Sequence, residues 1–222
     1  MQCIVTAGPT YEPLDEVRRL TNFSTGRLGS ELANFLAARG HEATLLIGQH
    51  AAYREERHAR RVETFTTTAN LRDRLRALAS ETVAAVFHAA AVSDFAFGKV
   101  WCRSPQGELT ELKAGKLSTR QGTLLAELAP TPKIIAELRQ WFPQARLVGW
   151  KYEVEGGRAG VIRLAERQIA ESRTDACVAN GPAYGAGFGL VLTGGQFTHL
   201  PDTAALFAAL EEFMRQSPAS GQ

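Results

Sequence analysis

Small polar residues crowd the segment Thr21-Asn22-Phe23-Ser24-Thr25-Gly26-Arg27-Leu28-Gly29, and their setting gives them a chemistry. An apolar run, Cys3-Ile4-Val5-Thr6, comes before them, followed by a breaker-rich loop, Ala7-Gly8-Pro9-Thr10. After them, Leu28, Leu32, Phe35 and Leu36 recur at helical spacing as far as Arg39. The cluster therefore opens a helix that follows the first strand. At a helix start the backbone N–H groups are free and the dipole is positive, which suits an anion. Ser24 and Thr25 are favoured N-caps, and Gly26 lets a ligand approach the backbone. The chemistry implied is phosphate handling.

Alternating elements must position that segment. Strands are predicted at 3–6, 43–47, 62–66, 84–88, 123–128, 147–150 and 176–179, and helices at 26–39, 69–80, 133–141, 160–172 and 203–215. Thr131-Pro132 starts the third helix, with proline at a favoured early position. Residues 190–193 and 196–199 read as a hairpin around Gly194-Gly195. From Asp94 to about Gln121 the chain reads as an irregular, flap-like loop holding Gly98, Pro105, Gly107 and Gly115. Strand–helix alternation gives an α/β fold: a Rossmann-like, doubly wound, mostly parallel sheet with helices on both faces. Residues 1–215 form a single domain, and 216–222 a frayed polar tail. Ligands of such sheets bind outside the carboxyl ends of the strands, near the switch in strand order. The loops at 7–25, 89–94, 150–153 and 180–189 therefore matter most.

Composition narrows the function. The chain has 222 residues, 45% hydrophobic and 22% charged, enough for one large domain with a proper core. A formal net charge of +2 gives no electrostatic case for nucleic acid. No apolar run approaches the ~20 residues that span a bilayer. A strand follows Met1 too closely for a signal peptide. Cys3, Cys102 and Cys177 are odd in number and widely spaced, so neither a disulfide framework nor a zinc site is expected. Cys3 and Cys177 read as small buried hydrophobes, and a reducing cytoplasm fits best. His41, His50, His58, His88 and His199 show no metal spacing, so no metal ligand is assigned. No Gly-x-Ser-x-Gly signal occurs. The arginine-rich run at 54–61 is broken by Glu55 and Glu56 and reads as a solvated face.

The strand-end loops also carry a family likeness. Its blocks are Thr6-Ala7-Gly8-Pro9-Thr10-Tyr11-Glu12-Pro13-Leu14-Asp15 with Val17-Arg18, then Asn22-Phe23-Ser24-Thr25-Gly26, then Ala89-Ala90-Ala91-Val92-Ser93-Asp94-Phe95. Lys116-Leu117, Leu128-Ala129-Pro130-Thr131-Pro132, Val148-Gly149-Trp150-Lys151-Tyr152-Glu153 and Val178-Ala179-Asn180 follow. Each is weak alone; in this order they are specific. The chain resembles phosphopantothenoylcysteine synthetase, the ligase of coenzyme A biosynthesis, over nearly its whole length. In many bacteria that ligase is fused behind a flavin-dependent decarboxylase. Here the ligase-like part begins at the first residues, so no flavin site is expected.

The resemblance implies a reaction. A 4′-phosphopantothenate carboxylate attacks the α-phosphate of CTP or ATP, pyrophosphate leaves, and cysteine's amine then attacks the acyl-nucleotidylate. Mg²⁺ is the implied ion, and a homodimer the implied assembly. By resemblance Asn22 contacts the acyl-nucleotidylate, while Ser24, Thr25 and Gly26 bind phosphate. Gly8, Ala89 and Ala90 let the backbone approach the nucleotide, and Asp94 holds one of its polar groups. Lys116 is the family's closing lysine over the triphosphate. Ala129, Pro130, Thr131 and Pro132 line the nucleotide, with Trp150 and Asn180 beside it. Read locally, Asn22, Ser24, Thr25 and Asp94 are equally caps or turn residues, Ala89 and Ala90 close-packing residues, Lys116 a solvated lysine and Trp150 a core residue.

Three departures stand out. The family's Lys-x-Lys-Lys becomes Lys116-Leu117-Ser118-Thr119, for which Arg120, Lys113 or Arg103 are candidate substitutes. Its Ala-Asn-Asp becomes Ala179-Asn180-Gly181. Arg167 and Arg173 stand beside positions where the family has lysines. Two other readings compete. A nicotinamide oxidoreductase of the short-chain type fits the segment 24–29, but Gly48-Gln49-His50 offers no acid for the ribose and no Tyr-x-x-x-Lys exists. A nucleotide-binding protein without ligase chemistry fits the lost lysines.

Overall fold

Central strands of a parallel sheet need apolar residues on both faces, and β1 (Gln2–Ala7) supplies them: it is buried from Cys3 to Ala7. The computed structural model describes residues 1–113, 115–118 and 122–216. β1 pairs in parallel with β4 (Glu42–Gly48) on one side and β6 (Ala85–His88) on the other. Beyond β4 lies β5 (Arg61–Phe65); beyond β6 lie β10 (Arg146–Tyr152) and β11 (Ala176–Asn180), all parallel. The hairpin β12 (Phe188–Leu192) and β13 (Phe197–Leu200) closes that edge antiparallel. The order β13-β12-β11-β10-β6-β1-β4-β5 reverses direction at β1, so the switch point lies between β1 and β6.

Side-chain alternation sends β1 in two directions. Cys3, Val5 and Ala7 meet α1 (Arg27–Ala38) and α5 (Thr203–Arg215) through Leu32, Leu36, Leu206 and Leu210. Ile4 meets α2 (Thr68–Ala77) and α3 (Ile134–Trp141) through Leu71, Leu75, Ile134 and Leu138. On that second face α4 (Gly157–Ser172) covers Cys177, Ala179 and Val191. The doubly wound arrangement expected from the sequence is the one formed, and the predicted strands and helices fall within a few residues of their places.

Four local expectations change. The stretch after Asp94 is not irregular: β7 (Phe95–Arg103) pairs antiparallel with β8 (Leu109–Leu112) and β9 (Thr123–Pro130) in a separate ribbon. It hid because its strands are mostly exposed and lack a clean alternation. A bulge between Phe97 and Val100 breaks the period, where Lys99 N–H donates to Glu127 at 3.1 Å. The loop at 7–25 also contains a short hairpin, β2 (Tyr11–Pro13) and β3 (Arg19–Thr21). Pro132 stands before the non-helical cap Lys133, not in the first turn of α3. Neither Ser24 nor Thr25 caps α1; Gly26 does, at φ +78°, although the Thr25 hydroxyl accepts the Arg27 N–H at 3.3 Å. Of the tail expected at 216–222, residues 217–222 lie outside the described residues, as does Arg120.

Gly26 is fixed by its surroundings. A Cβ there would lie 2.8 Å from Ile47 Cδ1 and 3.0 Å from Ala51 Cβ. One turn on, a Cβ at Gly29 would meet Ala7 Cβ at 2.6 Å. The start of α1 therefore sits directly on the end of β1, with its free N–H groups at the switch point.

Candidate active site

Around the switch point the carboxyl ends of β1, β6, β10 and β11 and the starts of α1 and α3 enclose a cavity of about 840 Å³. Of the residues singled out from sequence, Gly8, Asn22, Ser24, Thr25, Gly26, Ala89, Ala90, Asp94, Thr131, Pro132, Trp150 and Asn180 all line it. Lys116, Ala129 and Pro130 do not: Ala129 and Pro130 end the ribbon strand β9, and Lys116 sits on the loop after β8.

The strand-end loops are laced together. Ala89 N–H donates to Thr6 O (3.2 Å), Ala90 N–H to the Thr6 hydroxyl (3.1 Å) and Ala91 N–H to Gly8 O (3.0 Å). Asn22 Nδ2 donates to Ala91 O at 3.1 Å, so this amide ties the β3–α1 loop to the β6–β7 loop instead of capping a helix. Ser93 N–H donates to the Thr10 hydroxyl (2.8 Å), and the Thr131 hydroxyl to Ser93 O (2.5 Å). Thr131 N–H donates to Asp94 O at 3.0 Å. One hydrogen-bonded wall thus carries Asn22, Ala89–Asp94 and Thr131.

His88 closes the floor of this wall and was not singled out from sequence. It is buried, and desolvation pushes its imidazole down to about 4. Its Nδ1 lies 3.0 Å from the Thr6 hydroxyl. That hydroxyl also accepts the Ala90 N–H, which ties the imidazole to the alanine run through one oxygen. The result is a neutral ring that fixes the start of the alanine run.

On the opposite wall, Trp150 and Asn180 sit on adjacent strands and the same face. Trp150 packs against the α1–α5 core and also lines the cavity. Its Nε1–H and the Asn180 Oδ1 are buried without a hydrogen-bond partner among the described residues. Unpaired buried polar atoms are costly, and these two leave one donor and one acceptor unused beside the cavity.

Charge in the wall comes from residues the sequence reading passed over. Arg27, Lys133 and Lys151 line the cavity; Arg103 and Lys113 do not. Each lining cation is paired with a carboxylate: Arg27 with Glu31 at 2.7 Å, Lys151 with Glu153 at 3.1 Å, and Lys133 with Asp94. No cluster of three metal-ligating side chains occurs among the described residues. Asp94 is the one carboxylate among those lining the cavity. A single carboxylate gives no protein-built metal cage among the described residues.

Lys116 belongs to a different structure. Asp15 accepts the Leu117 N–H at 3.1 Å and the Arg18 N–H at 2.7 Å, and Glu16 N–H donates to Gly115 O at 2.9 Å. Burial works to raise the Asp15 pKa, but the N–H groups of Leu117, Val17 and Arg18, with the Arg18 charge, hold it below the usual carboxylate value. The Lys116 loop is thus fastened to the β2–β3 turn.

Known proteins share this fold and parts of this sequence. Residues 1–193 match the family described as the DNA/pantothenate metabolism flavoprotein C-terminal domain. The coenzyme A biosynthesis bifunctional protein CoaBC of Thermococcus kodakarensis is 33% identical over 181 residues, covering 80% of this chain and 40% of that protein. The chain therefore spans about two fifths of the length of this curated relative. Among solved structures, the DNA/pantothenate metabolism flavoprotein from Streptococcus pneumoniae superposes with a TM-score of 0.84 at 24% identity, covering 97% of this chain and 98% of that one. A Cab2 mutant in complex with phosphopantothenate-cysteine gives 0.67 at 19% identity, over 97% and 89% of the two chains. These two share the fold.

Proposed function

We propose a function from one premise: this chain belongs to the DNA/pantothenate metabolism flavoprotein C-terminal domain family. It is the ligase that joins 4′-phosphopantothenate to cysteine, driven by CTP or ATP. The observation that carries this reading is that blocks far apart in sequence, at 22–26, 89–94, 131–132, 150 and 180, line one cavity at the switch point. The relative from Thermococcus kodakarensis is named for coenzyme A biosynthesis, and the Cab2 complex holds phosphopantothenate-cysteine, the product of this reaction.

The chemistry needs two displacements. The pantothenate carboxylate attacks the α-phosphorus, a P–O bond forms, and pyrophosphate departs with the electrons of the broken one. The amine of cysteine then attacks the acyl carbon, loses a proton and expels the nucleoside monophosphate. Both steps rest on positioning and charge neutralisation rather than on a protein nucleophile. The start of α1, with Ser24, Thr25 and Gly26, offers N–H groups to the phosphates. Asn22, held by Ala91, keeps its second amide hydrogen for the acyl oxygen that gains charge. Magnesium, when bound, would be carried on the triphosphate and would neutralise part of its charge.

The oxidoreductase reading loses ground at the end of β4. The loop after β1 crosses there, so that a Cβ on Gly48 would lie 2.3 Å from Pro9 O. Tyr11 lies tilted against His50 in the loop after β4, with ring centroids 5.0 Å apart, and no carboxylate stands there to take a ribose hydroxyl. We place the enzyme in the cytoplasm. Cys3 and Cys177 carry buried thiols that desolvation pushes up to about 12, which keeps them unreactive. We assign a homodimer, for which the exposed Leu109, Leu125 and Leu128 of the ribbon offer apolar surface.

The test is pyrophosphate release with CTP or ATP, Mg²⁺ and 4′-phosphopantothenate, with and without cysteine. Release that requires phosphopantothenate and quickens with cysteine, with amide product formed, is the expected result. No release with either nucleotide from folded protein would leave the nucleotide-binding alternative standing.

A further inference from the structure

The two lost lysines, at 118 and 119, pose a charge problem. A nucleoside triphosphate brings several negative charges, yet the segment that carries the family's three lysines here keeps only the first, Lys116, next to a buried Leu117. That segment is also fastened to Asp15 away from the cavity. The cavity must find its cation elsewhere, and three candidates line it.

Their partners separate them. Arg27 and Glu31 are one turn apart on α1, and Glu31 also accepts from Tyr53 OH at 3.3 Å, so that pair is part of the helix's own scaffold. Lys151 and Glu153 lie along the end of β10. Lys133 and Asp94 alone among the three come from two different loops. Their side chains are 67% and 63% exposed, so water screens the pair and little holds it shut. Their backbones do not depend on it: Thr131 N–H to Asp94 O (3.0 Å) and Thr131 hydroxyl to Ser93 O (2.5 Å) keep the two loops together. The ammonium can therefore leave the carboxylate without the wall coming apart.

We propose that Lys133 is the triphosphate-binding cation of this chain, held by Asp94 until nucleotide enters and exchanged onto its phosphates. This rests on the nucleotide-dependent reading of the cavity and names the residue that replaces the missing lysines. The exchange also releases the Asp94 carboxylate to the nucleotide's polar groups, so one incoming ligand frees both of its contacts. A lysine suits the role because its ammonium on a flexible stem can swing between partners.

Titration calorimetry with CTP and ATP, and separately with CMP and AMP, tests it on wild type, Lys133→Met, Lys133→Arg and Lys116→Gln. Loss of one charge-assisted contact should weaken triphosphate binding by roughly tenfold to a hundredfold. Lys133→Met should show that loss for the triphosphates, leave the monophosphates within about threefold, and unfold at the wild-type temperature; Lys133→Arg should recover most of the affinity. Lys116→Gln should bind triphosphate more nearly as wild type does than Lys133→Met, because its loop is fastened to Asp15 away from the cavity. Wild-type triphosphate affinity in Lys133→Met overturns the proposal, as does an equal loss for mono- and triphosphates, which is the mark of a structural role. If wild type binds triphosphate through Lys133 but makes no amide product, the ligase reading fails and the exchange stands.

Discussion

Gly26→Ala is the sharpest test of how α1 is seated. Two costs add at this position. The alanine must hold φ near +78°, a left-handed conformation that costs an L-residue about 1–2 kcal/mol. Its Cβ must also fit 2.8 Å from Ile47 Cδ1 and 3.0 Å from Ala51 Cβ, and overpacking of this kind costs about 1–3 kcal/mol. The expected loss is about 2–5 kcal/mol, which for a chain of this size lowers Tm by roughly 5–15 °C. Gly40→Ala is the control: Gly40 has φ +79° but nothing within 4 Å of its Cβ, so only the conformational cost of about 1–2 kcal/mol applies. Urea unfolding followed by far-ultraviolet circular dichroism gives both values, and nucleotide titration reads the site. Gly26→Ala should also weaken nucleotide binding, because the start of α1 must move off Ile47; Gly40→Ala should not. Equal destabilisation by the two variants would refute the argument that crowding, rather than backbone angle alone, reserves this position for glycine.

Asn22→Asp should still bind nucleotide but form product about 10²–10³-fold more slowly, since it removes an amide donor and sets a carboxylate against Ala91 O; wild-type turnover would take Asn22 out of the mechanism. His88 predicts a pH effect of definite sign. Its folded pKa of about 4 lies below its unfolded 6.5, so only the unfolded chain gains a proton between those values. Stability at this residue is therefore full above pH 6.5 and is lost as pH falls to about 4. The loss is about 3 kcal/mol at most, at about 1.4 kcal/mol per pH unit. His88→Gln should flatten that fall, read as the difference between wild type and variant in urea unfolding at pH 7 and pH 4.5; parallel curves would mean the imidazole is not kept neutral by burial. Trp150→Phe removes an unpaired buried N–H, so the free protein should change by no more than about 1 kcal/mol. Product or substrate affinity should fall roughly tenfold, and an unchanged affinity would show that the indole N–H meets no ligand.

The sheet and its helices were legible because burial writes itself into sequence. β1 and β4 read as apolar runs, α1 and α5 as stripes, and Gly194-Gly195 as a hairpin, each from short-range pattern. The ribbon β7–β8–β9 was not legible for the opposite reason. It buries little against the core, its bulge at Gly98 and Lys99 breaks the alternation, and its pairing joins residues as far apart as Phe95 and Pro130. Capping of α1 was misread because Ser24 and Thr25 have the right chemistry one or two positions early. The seat left between β1 and Ile47 admits only Gly26 at the turn.

The site divides along the same line. Residues drawn from motif blocks, such as Asn22, Ala90 and Asp94, lie where the strands end and line the cavity, because strand order dictates which loops meet. The cations followed a different logic. The cations nearest in sequence to the missing lysines are Arg103, Lys113 and Arg120. Arg103 and Lys113 lie on or beside the ribbon and do not reach the wall. Lys133 reaches it because Thr131 bonds to Ser93 and Asp94, a tertiary contact that no local pattern announces. Its charge is masked in the free protein by the carboxylate beside it, so the cavity can collect three cations in its wall while each stays neutralised. Such a wall needs no polyanion to remain folded. A polyanion that enters has only to compete with Asp94, exposed and screened by water, and not with the hydrogen bonds that hold the loops in place.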